Sequence, residues 1–159
     1  MTESAGGSAE SAVRALYEQL LTAWDKRNAR DYALLFAPDG SLVGFDGSQV
    51  NGQLKIGAHL TEIFMHHQTP RYVGIIREVR ALGSDAMLLK ANAGLVPADK
   101  DDIDPALNAV QSMVAVHKGD GWKIAHFQNT PAAFHMQPEL SKQLTEELRG
   151  RLREKASRD

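Results

Sequence analysis

The chain has 159 residues, 43% hydrophobic, 24% charged and only 6% aromatic, and a single compact domain is the default at that length. It contains no cysteine, which removes disulfide scaffolds, thiolate zinc sites, iron–sulfur clusters and cysteine nucleophiles together. Eighteen basic against twenty acidic residues leave a formal charge of -2, so there is no basic surplus for nucleic acid or anionic lipid, and no apolar run approaches the roughly 20 residues of a membrane span.

Met1 to Ser8 are small, polar and glycine-containing, without the basic-then-apolar layout of a secretory signal. Residues 1–10 therefore read as a flexible leader, and the expected location is cytoplasmic. Val13, Leu16, Tyr17, Leu20, Leu21 and Trp24 then fall at helical spacing on one face, with Ser8 or Ser11 able to cap the start. A polar break over Asp25–Arg30 leads to a short apolar piece around Tyr32, Leu34, Leu35 and Phe36, which Pro38-Asp39-Gly40 ends as a turn. Ser41–Phe45 reads as a short strand, Asp46-Gly47-Ser48 and Asn51-Gly52 as turns, and Ile56–Gln68 as a helix stopped by Pro70.

From there the pattern changes to strands. Tyr72–Leu82, Ala86–Val96, Ala106–His117 and Trp122–Phe134 are strand-length runs separated by Gly83-Ser84-Asp85, the acidic stretch Asp99–Asp104, and Gly119-Asp120-Gly121. The C-terminal segment 138–159 returns to helix, with Pro138 in the first turn and a drifting stripe of Leu140, Leu144, Leu148 and Leu152. Segregated helices and strands predict an α+β fold in which a curved antiparallel sheet wraps around N-terminal helices over residues 11–137.

That order, with Trp24 near the end of the first helix and Leu35-Phe36-Ala37-Pro38-Asp39-Gly40 after it, resembles the nuclear transport factor 2-like superfamily. Asn108-Ala109-Val110-Gln111-Ser112, the run from Gly121-Trp122-Lys123-Ile124 through Gln128-Asn129-Thr130-Pro131, and Ala132-Ala133-Phe134-His135 resemble the SgcJ/EcaC-type branch of the SnoaL-like proteins. The resemblance implies a cystatin-like cone with an internal pocket. Members of that branch often carry an oxidoreductase label. No nicotinamide, flavin or phosphate-binding glycine loop supports it here, and no cofactor is expected.

Steroid isomerisation, the best-understood chemistry on this fold, uses a carboxylate base together with a tyrosine and a protonated acid. Carried over residue by residue, those positions fall at Gly44, Leu20 and close to Met113. Tyr17 lies one helical turn away and Asp46 two residues on, so the isomerase set is missing. SnoaL-type cyclases also lean on acidic residues, yet the late strands carry none in their central runs, and His126 is the titratable group best placed there.

In Trp122–Thr130 the pleat puts Trp122, Ile124, His126, Gln128 and Thr130 on one face, and Lys123, Ala125, Phe127 and Asn129 on the other. The resemblance implies that the first set lines the pocket, though a bulge would swap the two. On that basis His126 is the candidate catalytic acid–base group, and Trp24, Gln111, Met113, Ile124 and Gln128 are candidate substrate-binding residues. The plainer alternatives are a hydrogen-bonded core or interface histidine for His126, ordinary core packing for Trp24, and a strand-anchoring role for Asn129.

Metal readings fail on spacing. His66 and His67 point about 100° apart on a helix, and His59 and His66 are two turns apart without a third ligand. Asp99, Asp101, Asp102 and Asp104 lack the glycine and closing glutamate of a calcium loop and read as a solvated hairpin tip. The late strands are apolar on both sides, with Val110, Val114 and Val116 opposite Met113 and Ala115, which predicts helices on one face and a second copy on the other. The expected molecule is a homodimer that takes a small apolar organic ligand. It acts as a proton-transfer isomerase or polyketide-cyclase-like enzyme, or as a non-catalytic binding module.

Overall fold

Apolar residues at every third or fourth position give the first helix one face to bury, and the rest of the chain folds over that face. The computed structural model describes residues 2–119 and 121–158. Helix α1 (Thr2–Asp25) is followed by α2 (Ala29–Leu34), β1 (Phe36–Val43), β2 (Gln49–Asn51) and α3 (Gln53–His66). Then come β3 (Arg71–Ala81), β4 (Ala86–Val96), a 3-10 turn (Pro105–Leu107), β5 (Ala109–Lys118), β6 (Gly121–Pro131) and α4 (Pro138–Arg158).

The six strands form one curved sheet in the order β2-β1-β6-β5-β4-β3. All neighbours are antiparallel except β1 and β6, which run parallel with Ser41 beside His126 and Leu42 beside Phe127. Helices α1 to α3 fill the inner face. Val13, Leu16, Tyr17 and Leu20 of α1 are buried with Ile56 and Leu60 of α3, Leu89 and Ala91 of β4, and Met113, Ile124 and Phe127 of β5 and β6. Helix α4 takes the outer face at the other end of the sheet, where Leu144 and Leu148 are buried against Val73, Val96 and Ile103 of its own chain.

Two local expectations change. The stretch read as a leader is helical from Thr2, so Ser8 and Ser11 lie inside α1 and cap nothing, while Met1 falls outside the described residues. Pro38-Asp39-Gly40 does not end a helix but sits within β1, where the pairing with β6 shifts between Phe36 and Ser41. The sequence signal was a turn motif, and the chain uses it as a kink in a strand. Gly40 makes this possible: a Cβ there would lie 2.8 Å from the Ile124 carbonyl oxygen.

Candidate functional site

The decisive local feature is a bulge in β6. Val114 pairs with His126 and Ala115 with Ile124, so Ala125 is an extra residue with no partner on β5. An extra residue turns every later side chain to the opposite face. Ile124 is fully buried on the inner side, and beyond the bulge Phe127 and Asn129 point inward while Gln128 and Thr130 are exposed. His126 therefore lies on the outer face. Its Nδ1 hydrogen-bonds Ser41 Oγ at 2.7 Å and its Nε2 meets Gln128 Oε1 at 3.3 Å. With Nε2 donating to Gln128, Nδ1 accepts from the Ser41 hydroxyl and the ring is satisfied.

Between the inner face and the helices lies a cavity of about 550 Å³, within the range of pockets that hold small organic molecules. Its apolar walls include Trp24, Leu42, Phe45, Leu60, Ile63, Leu95, Leu107 and Phe127. Trp24 stacks edge-on against Phe64 and Tyr72, each 5.4 Å away between ring centres, and its indole N–H donates to the Pro70 carbonyl at 2.8 Å. Arg27, just past the end of α1, donates to the Phe64 carbonyl and at 3.2 Å to the Thr69 hydroxyl. These bonds fasten the wall segment Thr69–Pro70 to the end of α1.

Three tyrosines, all that the chain has, gather at the inner end. The Tyr17 hydroxyl donates to Gln111 Oε1 at 2.7 Å. Gln111 Nε2 donates to Asn129 Oδ1 at 3.2 Å, and Asn129 Nδ2 donates to the Tyr72 hydroxyl oxygen at 3.1 Å. The direction of this relay follows from Tyr17, whose side chain is fully buried. Turning the two amides round would face its O–H with another donor and orphan a buried proton, at a cost of about 1–3 kcal/mol. Gly74 leaves room for this arrangement, since a Cβ there would lie 2.6 Å from the Tyr17 oxygen.

Tyr72 thus accepts from the protein and keeps its own proton free. Tyr32 lines the same cavity and is 5% exposed; among the described residues the buried side-chain polar atom without a partner is Asn108 Oδ1. Burial holds all three phenols above their ordinary pKa, with the proximity of Tyr72 adding to the effect on Tyr17 and Tyr32. Tyr72 and Tyr32 are therefore neutral hydroxyl donors across the physiological range.

The carboxylate and imidazoles of the lining sit toward the mouth: exposed Asp46, half-buried His59 and exposed His67. Hydrogen bonds from Ser48 hold the Asp46 carboxyl below its ordinary pKa, and the nearby His59 contributes in the same direction. His66 points elsewhere and pairs with Glu62 at 3.1 Å. Among the described residues no three His, Asp or Glu side chains gather where they could hold a metal.

Of the residues singled out from sequence, Trp24 lines the cavity. Met113 and Ile124 are fully buried core beneath it, and Gln111 reaches it only through Asn129. His126 and Gln128 belong to the other side of the sheet because of the Ala125 bulge. Sequence reasoning missed Tyr32, Tyr72, Asn129, Asp46 and His59 as lining residues. The alternation of Tyr72, Gly74 and Ile76 on β3 carried a usable signal for Tyr72, whereas Asn129 was hidden by the bulge.

Helices and a curved sheet around an apolar, tyrosine-ended cavity make a cystatin-like cone. The SnoaL-like domain family matches residues 13–133, and the chain belongs to that family. No curated protein matches the chain. Among solved structures it is similar to a cystatin-like domain of unknown function from Nostoc punctiforme, with TM-score 0.77, 20% identity, and 86% of this chain and 85% of that one covered. It also resembles an uncharacterised cystatin-like protein from Caulobacter vibrioides, at TM-score 0.67 and 22% identity over 83% and 95% of the two chains. A ketosteroid isomerase-like protein from Erwinia carotovora atroseptica aligns at TM-score 0.62 and 14% identity over 78% and 96%. At such identities the likeness speaks for the fold.

Proposed function

We propose that the chain binds a small, largely apolar organic molecule in the cavity between the helices and the inner sheet face. One observation carries this: an open space of about 550 Å³ with apolar walls ends in polar groups ordered by a buried relay, where a structural cone would be filled. Native mass spectrometry of the purified protein, followed by titration with tetralin, tests it. The expected result is a retained or added small molecule in the wild type and none in Ile63→Trp, which fills the cavity. Equal binding by both would contradict the reading.

A proton-transfer reaction of isomerase or cyclase type is the second reading, and it rests on Asp46 and His59 lining the mouth of the same cavity. In it His59 is the acid–base group, since His126 faces away from the cavity. Turnover of a substrate that survives His59→Gln would remove that role. The finer kinship with the SgcJ/EcaC-type branch rests on the run from Trp122 to Pro131, which contains the bulge.

We also propose a homodimer joined through the outer face of β5 and β6. Helix α4 covers the opposite end of that face, leaving Val110 39% exposed and Val114 and Val116 half-buried in a row. Apolar residues so aligned favour a second copy. Light scattering at micromolar concentration is expected to give twice the 17.4 kDa chain mass, and Val114→Lys to give the monomer.

A further inference from the structure

Resting on the reading of the cavity as a ligand pocket, we infer that helix α4 is a latch on the cavity wall. A ligand inside binds more tightly when α4 is docked, and by reciprocity it holds α4 down. A shared wall one strand thick carries this, because it presents alternate residues to the two sides. On β3 and β4, Tyr72 pairs with Leu95 and both line the cavity, while the next pair, Val73 and Gly94, faces α4. A Cβ on Gly94 would lie 2.9 Å from Leu148 Cδ1, so α4 rests on the backbone of that wall. The same division recurs at the end of the 3-10 turn. Leu107 lines the cavity, and Asn108 Nδ2 donates to Thr145 Oγ1 of α4 at 2.9 Å. Near the end of α4, Lys155 donates to the Tyr72 carbonyl at 3.3 Å, so α4 and Asp25 hold the two backbone groups of one cavity residue.

The docked helix is also suited to release. Of its 21 residues only Leu144, Thr145 and Leu148 are buried. Beneath it Asn108 is 2% exposed and its Oδ1 has no partner, an orphan acceptor that water satisfies once α4 lifts. Phe134 and Met136, in the link from β6, hold left-handed backbone (φ 43° and 62°) that non-glycine residues seldom adopt, and release relaxes it. Local opening of α4 therefore costs less than global unfolding. A ligand distinguishes the two states: with α4 away the wall loses its backing, and the ligand must itself order Tyr72, Leu95 and Leu107.

Hydrogen exchange of the full chain, with and without saturating tetralin, tests the latch together with calorimetry. In wild type the α4 amides are expected to exchange faster than those of β5, through local opening. Tetralin should slow α4 exchange about fivefold or more, because it favours the docked state. Leu148→Ala loosens α4, and Lys155→Met removes the bond to Tyr72 while keeping an apolar stem; neither residue lines the cavity. Both variants should bind tetralin about fivefold more weakly, with retained β5 protection showing that the sheet is intact. If Leu148→Ala does not fold, Lys155→Met decides. Tetralin that binds wild type yet leaves α4 exchange unchanged, or binds Lys155→Met as tightly as wild type, would overturn the latch while the pocket stands. No tetralin binding to wild type would overturn the pocket reading and the latch with it.

Discussion

Asp25 closes α1 with a carboxylate that accepts the Tyr72 amide proton at 2.8 Å, and it sits at the junction of helix, sheet and α4. Burial raises its pKa against the lowering effects of that bond and of nearby Lys155 and Arg71. A carboxyl whose folded pKa is raised contributes stability below its ordinary pKa of about 4 and loses it as pH rises through the folded value. Asp25→Asn keeps an acceptor for Tyr72 without the charge. Thermal melts should show this variant at least as stable as wild type at pH 7, with the advantage gone below about pH 4. Asp25→Ala leaves the Tyr72 amide without its acceptor and should lose about 1–3 kcal/mol at either pH. The same residue scale explains why the site was hard to read: Tyr32 and Tyr72 look like core aromatics in a one-dimensional pattern. Only the fold shows that both line the cavity and that the Tyr72 hydroxyl accepts from Asn129.

At the scale of elements, β6 carries the main lesson. Helical spacing and turn residues made the order of elements legible, and Ala86–Val96 was read with the bounds that β4 has. Strict alternation also placed Trp122 and Ile124 together, as in the structure up to the bulge. One unpaired alanine then moved His126 and Gln128 out and brought Phe127 and Asn129 in, and no composition rule signals such a residue. The parallel partnership of β1 and β6 was equally invisible, because it joins segments far apart in sequence. Helix α4 shows the opposite case, since its leucine stripe was plain but its docking surface was not. Leu148→Ala should cost about 2–5 kcal/mol by emptying a fully buried contact, and hydrogen exchange should rise in α4 more than in β5. Asp102 tethers the same helix through Arg149 at 3.0 Å, and that bond holds its carboxyl below the ordinary pKa. Its support is present above the ordinary carboxylate pKa and is lost as pH falls through the lowered one, so acid should loosen α4. Asp102→Asn should remove that acid step from the exchange profile.

For the whole molecule, the division of labour between the two sheet faces is the organising fact. The inner face holds the helices and the cavity, with buried groups committed to a one-way relay. The outer face holds α4 at one end and, at the other, His126 beside the valines of β5. No helix among the described residues is long and apolar enough to cross a membrane. Under the proposed function ligands enter the inner cavity rather than meet the His126 face. Amide chemical-shift mapping during titration with tetralin separates the two most directly. Changes are expected to cluster on Trp24, Leu60, Tyr72 and Leu95 and on the Asn129 side-chain amide, with Val114 and Gln128 unmoved; changes centred on His126 and Val114 would place the ligand on the outer face instead.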